Sequence, residues 1–343
     1  MAERTKKGSR KGRKTIMLTD DQLFFRFLGI HMIANLKIEF QQTLRIPDDN
    51  REHYLPPGFG RFPLSRVDDY PDNLPEVWQK HGGVFFPMYQ SEAMWINFRG
   101  EYPMAIKIAA GKINAITGKP WNEELSDEPQ DYLVIPEQPW LDGFCVQKGL
   151  IRQFVAMTLV EGYTSEEQLT GEAEHGGLQI AVYPMKRSVY AEKFGFPEPQ
   201  PREDRIFVMA DAKVQEPEMG FAPGGLMRQE IYEDEHGIDT WDTSLCARCF
   251  VHIVNSVQLL HLTGCQPPSM PPTARDYTAR GLPWFDDYDG DLEALEGAID
   301  LAQLDGVASV SLKKGEGFLP NNDPVAPAVV KKLDRTMVRV GVF

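Results

Sequence analysis

From residue 82 to about residue 214, hydrophobic and polar positions alternate in short segments that glycine and proline separate. Alternation with a period of two is typical of strands that bury one face, and closely spaced short strands indicate a sandwich or a barrel. Leu36, Ile38 and Phe40 alternate with polar residues in the same way. The predicted strand segments are GVFFPMY, AMWINF, MAIKIAAGKINAIT, DYLVI, IRQFVAMTLV, GGLQIAVY and RIFVMADAKV.

A different spacing marks residues 244–263 (SLCARCFVHIVNSVQLLHLT), which Gly264 follows. Apolar residues recur there at intervals of three and four, which would place them on one face of a helix. That face would hold Cys246, Cys249, Phe250, Ile253, Val257 and Leu260. The chain is therefore predicted to have an α+β, β-dominated fold, an antiparallel sandwich or barrel with a long packed helix at about 244–263.

Two capping boxes predict where further helices begin. Thr19 and Gln22 have capping-box spacing, which predicts a helix start near Asp20. Thr164 and Glu167 have the same spacing and predict a short helix over residues 165–169.

Composition and charge divide the chain of 343 residues, of which 42% are hydrophobic and 25% charged, as is typical of a globular protein. The net charge is -14, yet the first fourteen residues hold seven Lys or Arg and one Glu. Residues 1–16 are predicted to be a disordered basic tail that could contact an anionic partner, either nucleic acid or an anionic membrane. Residues 17–310 are the predicted β-rich core, with two subdomains and a break near 215–243 as an alternative, and residues 311–343 are a C-terminal extension.

Other features bear on location and on cofactors. No stretch approaches the roughly 20 apolar residues of a spanning helix, so no transmembrane segment is predicted. Four cysteines in this length suit a reducing compartment, and a cytoplasmic location is expected. Cys246, Cys249, His252, His261 and Cys265 have metal-ligand chemistry, but on one helix Cys246 and His252 would lie about 120° apart, and His252 and His261 about 180° apart. No metal site and no cofactor are therefore predicted.

The segment TGEAEHGG, residues 170–177, carries candidate catalytic residues: Glu172, Glu174 and His175. Carboxylates and imidazoles are the usual groups for general acid–base catalysis. The alternative is a turn, because His-Gly-Gly recurs at residues 81–83 and both copies precede a predicted strand. In an extended chain the two glutamates would also face away from the histidine.

A Pro-Trp pair followed by an acid two residues later recurs, and it gives candidate ligand-binding residues: Trp121, Trp140 and Trp284, with Asp142 and Asp286. An exposed indole can stack on a sugar ring while a carboxylate accepts hydrogen bonds from hydroxyl groups. The alternative is that each indole anchors its loop in the core.

Several long blocks in order resemble an uncharacterised family of microbial proteins, from bacteria and fungi. These blocks are LDGFCVQKGLIRQFVAM, GYTSEEQLTGEAEHGGLQI, APGGLMRQEIYEDEHGIDTWD, FVHIVNS and YTARGLPWFDDYDGD, between about residues 80 and 310. No activity attaches to that family, so the resemblance implies no site residue.

Three functions follow from these patterns as hypotheses. The first is a non-catalytic cytoplasmic binding or assembly protein, whose sheet edges would pair with a protein partner or with a second copy. The second is a hydrolase that uses Glu172 or Glu174 with His175. The third is carbohydrate binding through the Pro-Trp loops.

Overall fold

A computed structural model describes residues 14–49, 51–196, 218–268, 270–271, 273–287, 292–317, 324–325 and 329–333. Most of the predicted basic tail lies outside these ranges, as does the predicted strand RIFVMADAKV at 205–214. The first strand begins at Lys14, inside the segment assigned to the tail.

Strands are the most frequent regular elements of the described chain. In order they are β1 Lys14–Thr19, β2 Gln22–Phe27, β3 Asn35–Thr43, β4 Glu52–His53, β5 Gly58–Arg61, β6 Ser65–Arg66, β7 Val84–Met88, β8 Ala93–Arg99, β9 Met104–Ala110, β10 Ile113–Asn114, β11 Leu133–Ile135, β12 Trp140–Leu141, β13 Gly143–Gln147, β14 Leu150–Thr158, β15 Leu178–Pro184, β16 Met219–Arg228, β17 Ala247–Asn255, β18 Trp284–Asp287 and β19 Val330–Leu333. The α-helices are short: α1 Glu76–His81, α2 Ser165–Thr170, α3 Arg187–Lys193, α4 Leu259–Thr263, α5 Ala274–Ala279, α6 Ile299–Ala302 and α7 Val307–Lys314.

The main strands form two runs of neighbours. One run is β1, β2, β3, β8, β14 and β16, all antiparallel. The other is β7, β17, β15, β9 and β11, in which only β7 and β17 are parallel. The two runs join where Met219 of β16 pairs with Ile253 of β17.

Aromatic rings fill the space between the runs. Phe86 of β7 lies 5.0 Å, ring centroid to centroid, from Phe40 of β3, and 5.0 Å from Phe62. All three side chains are fully buried and belong to one large apolar core. The predicted α+β, β-dominated sandwich is therefore confirmed, and the described strands do not close into a barrel.

The helix predicted near Asp20 is wrong, because residues 14–27 form a β-hairpin. Thr19 pairs with Gln22 across a two-residue turn, and Asp20 and Asp21 have φ of 50° and 57°. Positive φ at both central residues is the turn that matches the twist of paired strands. Thr19 and Gln22, whose spacing suggests a capping box, instead flank a hairpin turn.

The long helix predicted at 244–263 is also wrong. Residues 247–255 form β17, and only Leu259–Thr263 at the end of the segment is α-helical. The same stretch contains a second pattern of period two, in which Ala247, Cys249 and Val251 are buried and Arg248 is exposed. Strand β15 pairs with residues 247–251 of β17 and β7 pairs with residues 251–255, so sheet hydrogen bonds along the strand take the place of helical ones.

The second capping box is confirmed in α2. The Thr164 side chain accepts a hydrogen bond from the Glu167 backbone, and the Glu167 side chain accepts from the Thr164 backbone. The helix ends at Gly171, which is left-handed with φ of 75°. Within the described residues, no helix is long and apolar enough to cross a membrane.

Replacing Phe86 with alanine should lower the free energy of unfolding by about 3–5 kcal/mol, because the cavity would sit between two runs of strands. Urea denaturation followed by tryptophan fluorescence measures the loss. Val257→Ala, at a side chain that is 69% exposed, is the control and should change stability little. A loss below about 1 kcal/mol for Phe86→Ala would show that this contact does not hold the sandwich together.

Candidate functional site

The two His-Gly-Gly triplets, far apart in sequence, meet on opposite sides of one strand. Val84 of β7 and Leu178 of β15 both pair with Val251 of β17. Each triplet ends on the residue just before its pairing residue, so His81 and His175 lie at the same level of the sheet. Their ring centroids are 5.2 Å apart.

Glycine is required at the last position of each triplet because β17 lies close. A Cβ atom on Gly83 would overlap the Phe250 carbonyl, and one on Gly177 would overlap the Val251 carbonyl. Both glycines also have positive φ, 90° and 74° respectively. The close approach of backbone to backbone holds the two histidines beside the same strand.

A third imidazole, His252 of β17, lies between α1 and the sheet. It is 4% exposed, and its ring stacks on the Trp78 indole at 4.5 Å between centroids. Its Nε2 is 3.0 Å from the Gly82 carbonyl oxygen and donates a hydrogen bond to it. The His81 ring stacks on Phe250 at 4.4 Å, so aromatic contacts fix the orientation of two of the imidazoles.

Glu166, the second residue of α2, lies behind His175. Its carboxylate accepts a hydrogen bond from the His175 backbone N–H at 3.3 Å. A Cβ atom on Gly111 would overlap this carboxylate, so the glycine leaves room for it. The Glu166 side chain is almost wholly buried, and burial raises its pKa to about 7, against the opposing effect of the His175 N–H.

A small cavity lies in front of His175. Its volume is about 10 Å³, the size of one water molecule. The residues that line it include Trp78, His81, Glu174, His175, Glu218 and His252. The cavity therefore joins three imidazoles to a carboxyl group that is not in the His-Gly-Gly segments.

Burial shifts the pKa values of the imidazoles and of the carboxyl groups in opposite directions, because it disfavours every charged form. It lowers the pKa of His252 to about 4. It also lowers the pKa of His175, where the nearby Glu166 charge opposes the effect and Lys112 adds to it. Burial raises the pKa of Glu218, and the Trp78 indole N–H partly offsets the increase. Near neutral pH the site thus holds neutral imidazoles beside a carboxyl group whose pKa lies above its usual value.

The structure separates the two glutamates predicted with His175. Glu172 is exposed, and its backbone N–H donates to Thr170 Oγ1 at 3.1 Å. Glu174 is also exposed and forms an ion pair with Lys112. The carboxylates that act electrostatically on the His175 ring are those of Glu166 and Glu218. Of the predicted catalytic residues, His175 and Glu174 border the cavity and Glu172 does not.

The predicted ligand-binding tryptophans lie on three different elements. Trp121 follows β10 and has the Lys107 ammonium 5.6 Å from its ring centroid. Trp140 is half-buried in β12, opposite Asn97 of β8. Trp284 is 2% exposed and packs on Tyr277 at 5.2 Å. An indole this buried contributes to the core, as a loop anchor does.

The two aspartates of these segments also lie apart. Asp142 is buried and accepts a hydrogen bond from Gln229 Nε2 at 2.9 Å. Asp286 is half-buried and lines an open cleft of about 310 Å³. In the part of the chain that the structure describes, no group of three or more His, Cys, Asp or Glu side chains is arranged to hold a metal ion.

Sequence reasoning missed Glu166, Glu218, His81 and His252. The repeated His-Gly-Gly was the available signal, since two identical turns before strands of one sheet can converge. Nothing local marks Glu166 as buried or Glu218 as half-buried, because acidic residues in short helices and loops are ordinarily exposed.

Comparison with known proteins gives no match to a family model, to a curated protein or to a solved structure. The resemblance to an uncharacterised microbial family therefore stays a prediction, and the role of the site has to be argued from its geometry.

The close approach at Gly177 can be tested against a matched glycine. Gly177→Ala and Gly171→Ala both place a Cβ atom at nearly the same φ, 74° and 75°, but only the former meets the backbone of β17. Gly171→Ala should cost about 1–2 kcal/mol of stability. Gly177→Ala should cost a further 1–3 kcal/mol, roughly, and should shift the NMR signals of His175 and His252. Equal losses, measured by chemical denaturation, would contradict the close contact.

Proposed function

We propose that the chain is a hydrolase whose acid–base groups are His175 and Glu218. The supporting observation is that a water-sized cavity is lined by an imidazole with a lowered pKa and a carboxyl group with a raised pKa. These are the shifts that leave a base free to accept a proton and an acid able to donate one at the same pH. His175 Nδ1 is buried without a protein hydrogen-bond partner among the described residues, so it can bond a water molecule.

In the proposed reaction, neutral His175 takes a proton from water as the water oxygen attacks an electrophilic carbon of the substrate. The bond from that carbon to the leaving group breaks, and the Glu218 carboxyl group gives its proton to the leaving group. The proton on His175 then returns to the Glu218 carboxylate through solvent. One water molecule is consumed, and the enzyme ends in its starting protonation state.

Glu166 is a positioning residue in this scheme. Its hydrogen bond holds the His175 backbone, and its negative charge favours the imidazolium that forms during the reaction. Lys112 balances the charge nearby through its ion pair with Glu174. The Trp78 ring stacks on His252 and the Phe250 ring stacks on His81, which holds these two imidazoles in place.

The pH–rate profile should be bell-shaped. His175 must be neutral, so the acid limb follows its pKa and lies below pH 6.5. Glu218 must be protonated, so the alkaline limb follows its pKa and lies above pH 4.5. The profile of kcat/KM, measured on 4-nitrophenyl esters, glycosides and peptide 4-nitroanilides, reports both groups of the free enzyme. His175→Gln and Glu218→Gln should each lower kcat by about 10²–10⁴-fold, and Glu218→Gln should remove the alkaline limb.

Glu172→Gln is the matched control, because this carboxylate is exposed on the same segment, and it should leave the rate unchanged. Thermal unfolding of each variant separates loss of chemistry from loss of fold. Absence of turnover on all these substrates, or full activity of His175→Gln, would rule out the proposed reaction.

Binding or assembly without turnover is the second candidate, and one observation favours it. Within the described residues, β1 pairs in register only with β2, which leaves its outer edge available to another strand. Sedimentation velocity tests whether that edge joins two copies of the chain, and a monomer at all concentrations would exclude self-association.

A further inference from the structure

An open cleft of about 710 Å³ lies along the same strand that carries His252. Its walls come from β1, from the facing ends of β15 and β17, and from Glu123. A volume of this size falls within the range of about 300–1,000 Å³ that is usual for ligand sites. A hydrolase also has to bind the part of its substrate that does not react. This cleft is large enough to bind it and contains neither His175 nor Glu218.

The cleft and the acid–base site are connected through β17. Arg248, Phe250 and His252 occupy alternate positions of this strand, so their side chains share one face of the sheet. The Arg248 guanidinium lies 5.1 Å from the Phe250 ring centroid, and the Phe250 ring stacks on His81. Four steps of extended chain lead from Arg248 to His252, which is about 13 Å.

One wall of the cleft is the free edge of β1. Thr15 and Ile16 both line it, although neighbouring side chains on a strand point to opposite faces. The cleft is therefore bordered by backbone of β1 as well as by side chains. In the hairpin, Thr19 and Gln22 flank a two-residue turn and form a hydrogen-bonded pair, and such pairs alternate along the ladder. The N–H and C=O groups of Ile16 consequently point away from β2.

The charged groups of the cleft are Arg248 and Glu123, which form an ion pair with each other. The Arg248 side chain is 36% exposed and that of Glu123 is 72% exposed. Exposed ion pairs contribute little to stability, so a ligand carboxylate can replace Glu123 on the guanidinium. Arginine binds carboxylates through two parallel hydrogen bonds, which a ligand with a free carboxylate end would supply.

We infer that the cleft binds a short extended peptide, which adds as a strand to the outer edge of β1 and pairs its carboxylate end with Arg248. This inference rests on the proposed hydrolase and names its substrate class. With the carboxylate at Arg248, a peptide of about four or five residues reaches the level of His252, beside the cavity that holds the acid–base groups. The peptide bond to be hydrolysed would lie at that end.

Binding is tested with one peptide in three forms, by isothermal titration calorimetry on the His175→Gln variant, which should bind without turnover. The probe is an N-acetylated pentapeptide of alternating Thr and Val. Its forms are the free carboxylate, the C-terminal amide, and the free carboxylate with alternate backbone nitrogens methylated. The carboxylate form should bind at least tenfold more tightly than either of the other two. Equal binding of the amide, or of the methylated peptide, would overturn the inference.

Substitutions in the chain test which of its residues contact the peptide. Arg248→Gln should weaken the carboxylate peptide at least tenfold and leave the amide unchanged. Glu123→Gln should tighten the carboxylate peptide, because it removes the competing acid. Ile16→Pro should weaken both forms, because it removes an outward N–H without removing a β1–β2 hydrogen bond. Arg228→Gln is the matched control. Like Arg248, Arg228 forms an ion pair with an exposed glutamate, Glu52, and lies over an aromatic ring, that of Tyr54. This substitution should not change the affinity for either peptide.

The two proposals can fail separately. Peptide binding with these dependences but no hydrolysis by the native chain would support the cleft and overturn the hydrolase. Turnover of 4-nitrophenyl substrates without peptide binding would support the hydrolase and overturn the cleft. Equally tight binding of D-glucuronate, a carboxylate without a peptide backbone, would show that the cleft recognises the anion alone and would overturn strand addition. Sedimentation velocity identifies a second copy on the β1 edge, which would overturn the peptide as its occupant.

Discussion

The pairing of β17 on both of its edges is the constraint on which the site depends. Val251 pairs with Val84 on one edge and with Leu178 on the other, so β7 and β15 begin at the same level. The chain enters each of these strands through a His-Gly-Gly turn, and the last glycine of each turn lies against the backbone of β17. A larger residue at either position would push its strand away. The packing of backbone on backbone thus sets the spacing of the imidazoles.

Desolvation then determines what those side chains can do. Burial alone does not make a carboxylate functional, as Glu39 and Glu92 show. Burial alone would raise the pKa of Glu39, but hydrogen bonds and charges from Asn97, Arg99 and Gln22 lower it, as suits a structural group. Burial raises the pKa of Glu92 to about 8, yet its carboxylate accepts the Tyr89 N–H within a turn. Glu218 differs because its carboxyl group borders a cavity together with imidazoles.

The alternate residues of β17 connect chemistry with recognition. Their outward face carries a guanidinium, an aromatic ring and an imidazole in sequence, from the large cleft to the water-sized cavity. The free edge of β1 lies along the cleft and offers backbone hydrogen bonds, while Arg248 offers a charge. A strand that β15 pairs along its first half and β7 along its second half holds these groups in a fixed order without any large helix.

The sequence by itself determined the β-dominated class, most strands between residues 82 and 184, and helix α2, because alternation and the capping box at Thr164 are local signals. Tertiary structure determined the conformation of segments whose sequence fits both a helix and a strand. Residues 247–255 fit a helical stripe and a strand, and pairing with β7 and β15 selected the strand. Thr19 and Gln22 likewise fit a capping box and a hairpin, and burial of Leu23, Phe25 and Phe27 accompanies the hairpin. The site depended on tertiary structure, since His81 and His175 share the His-Gly-Gly pattern but meet each other and His252 only because their strands are neighbours.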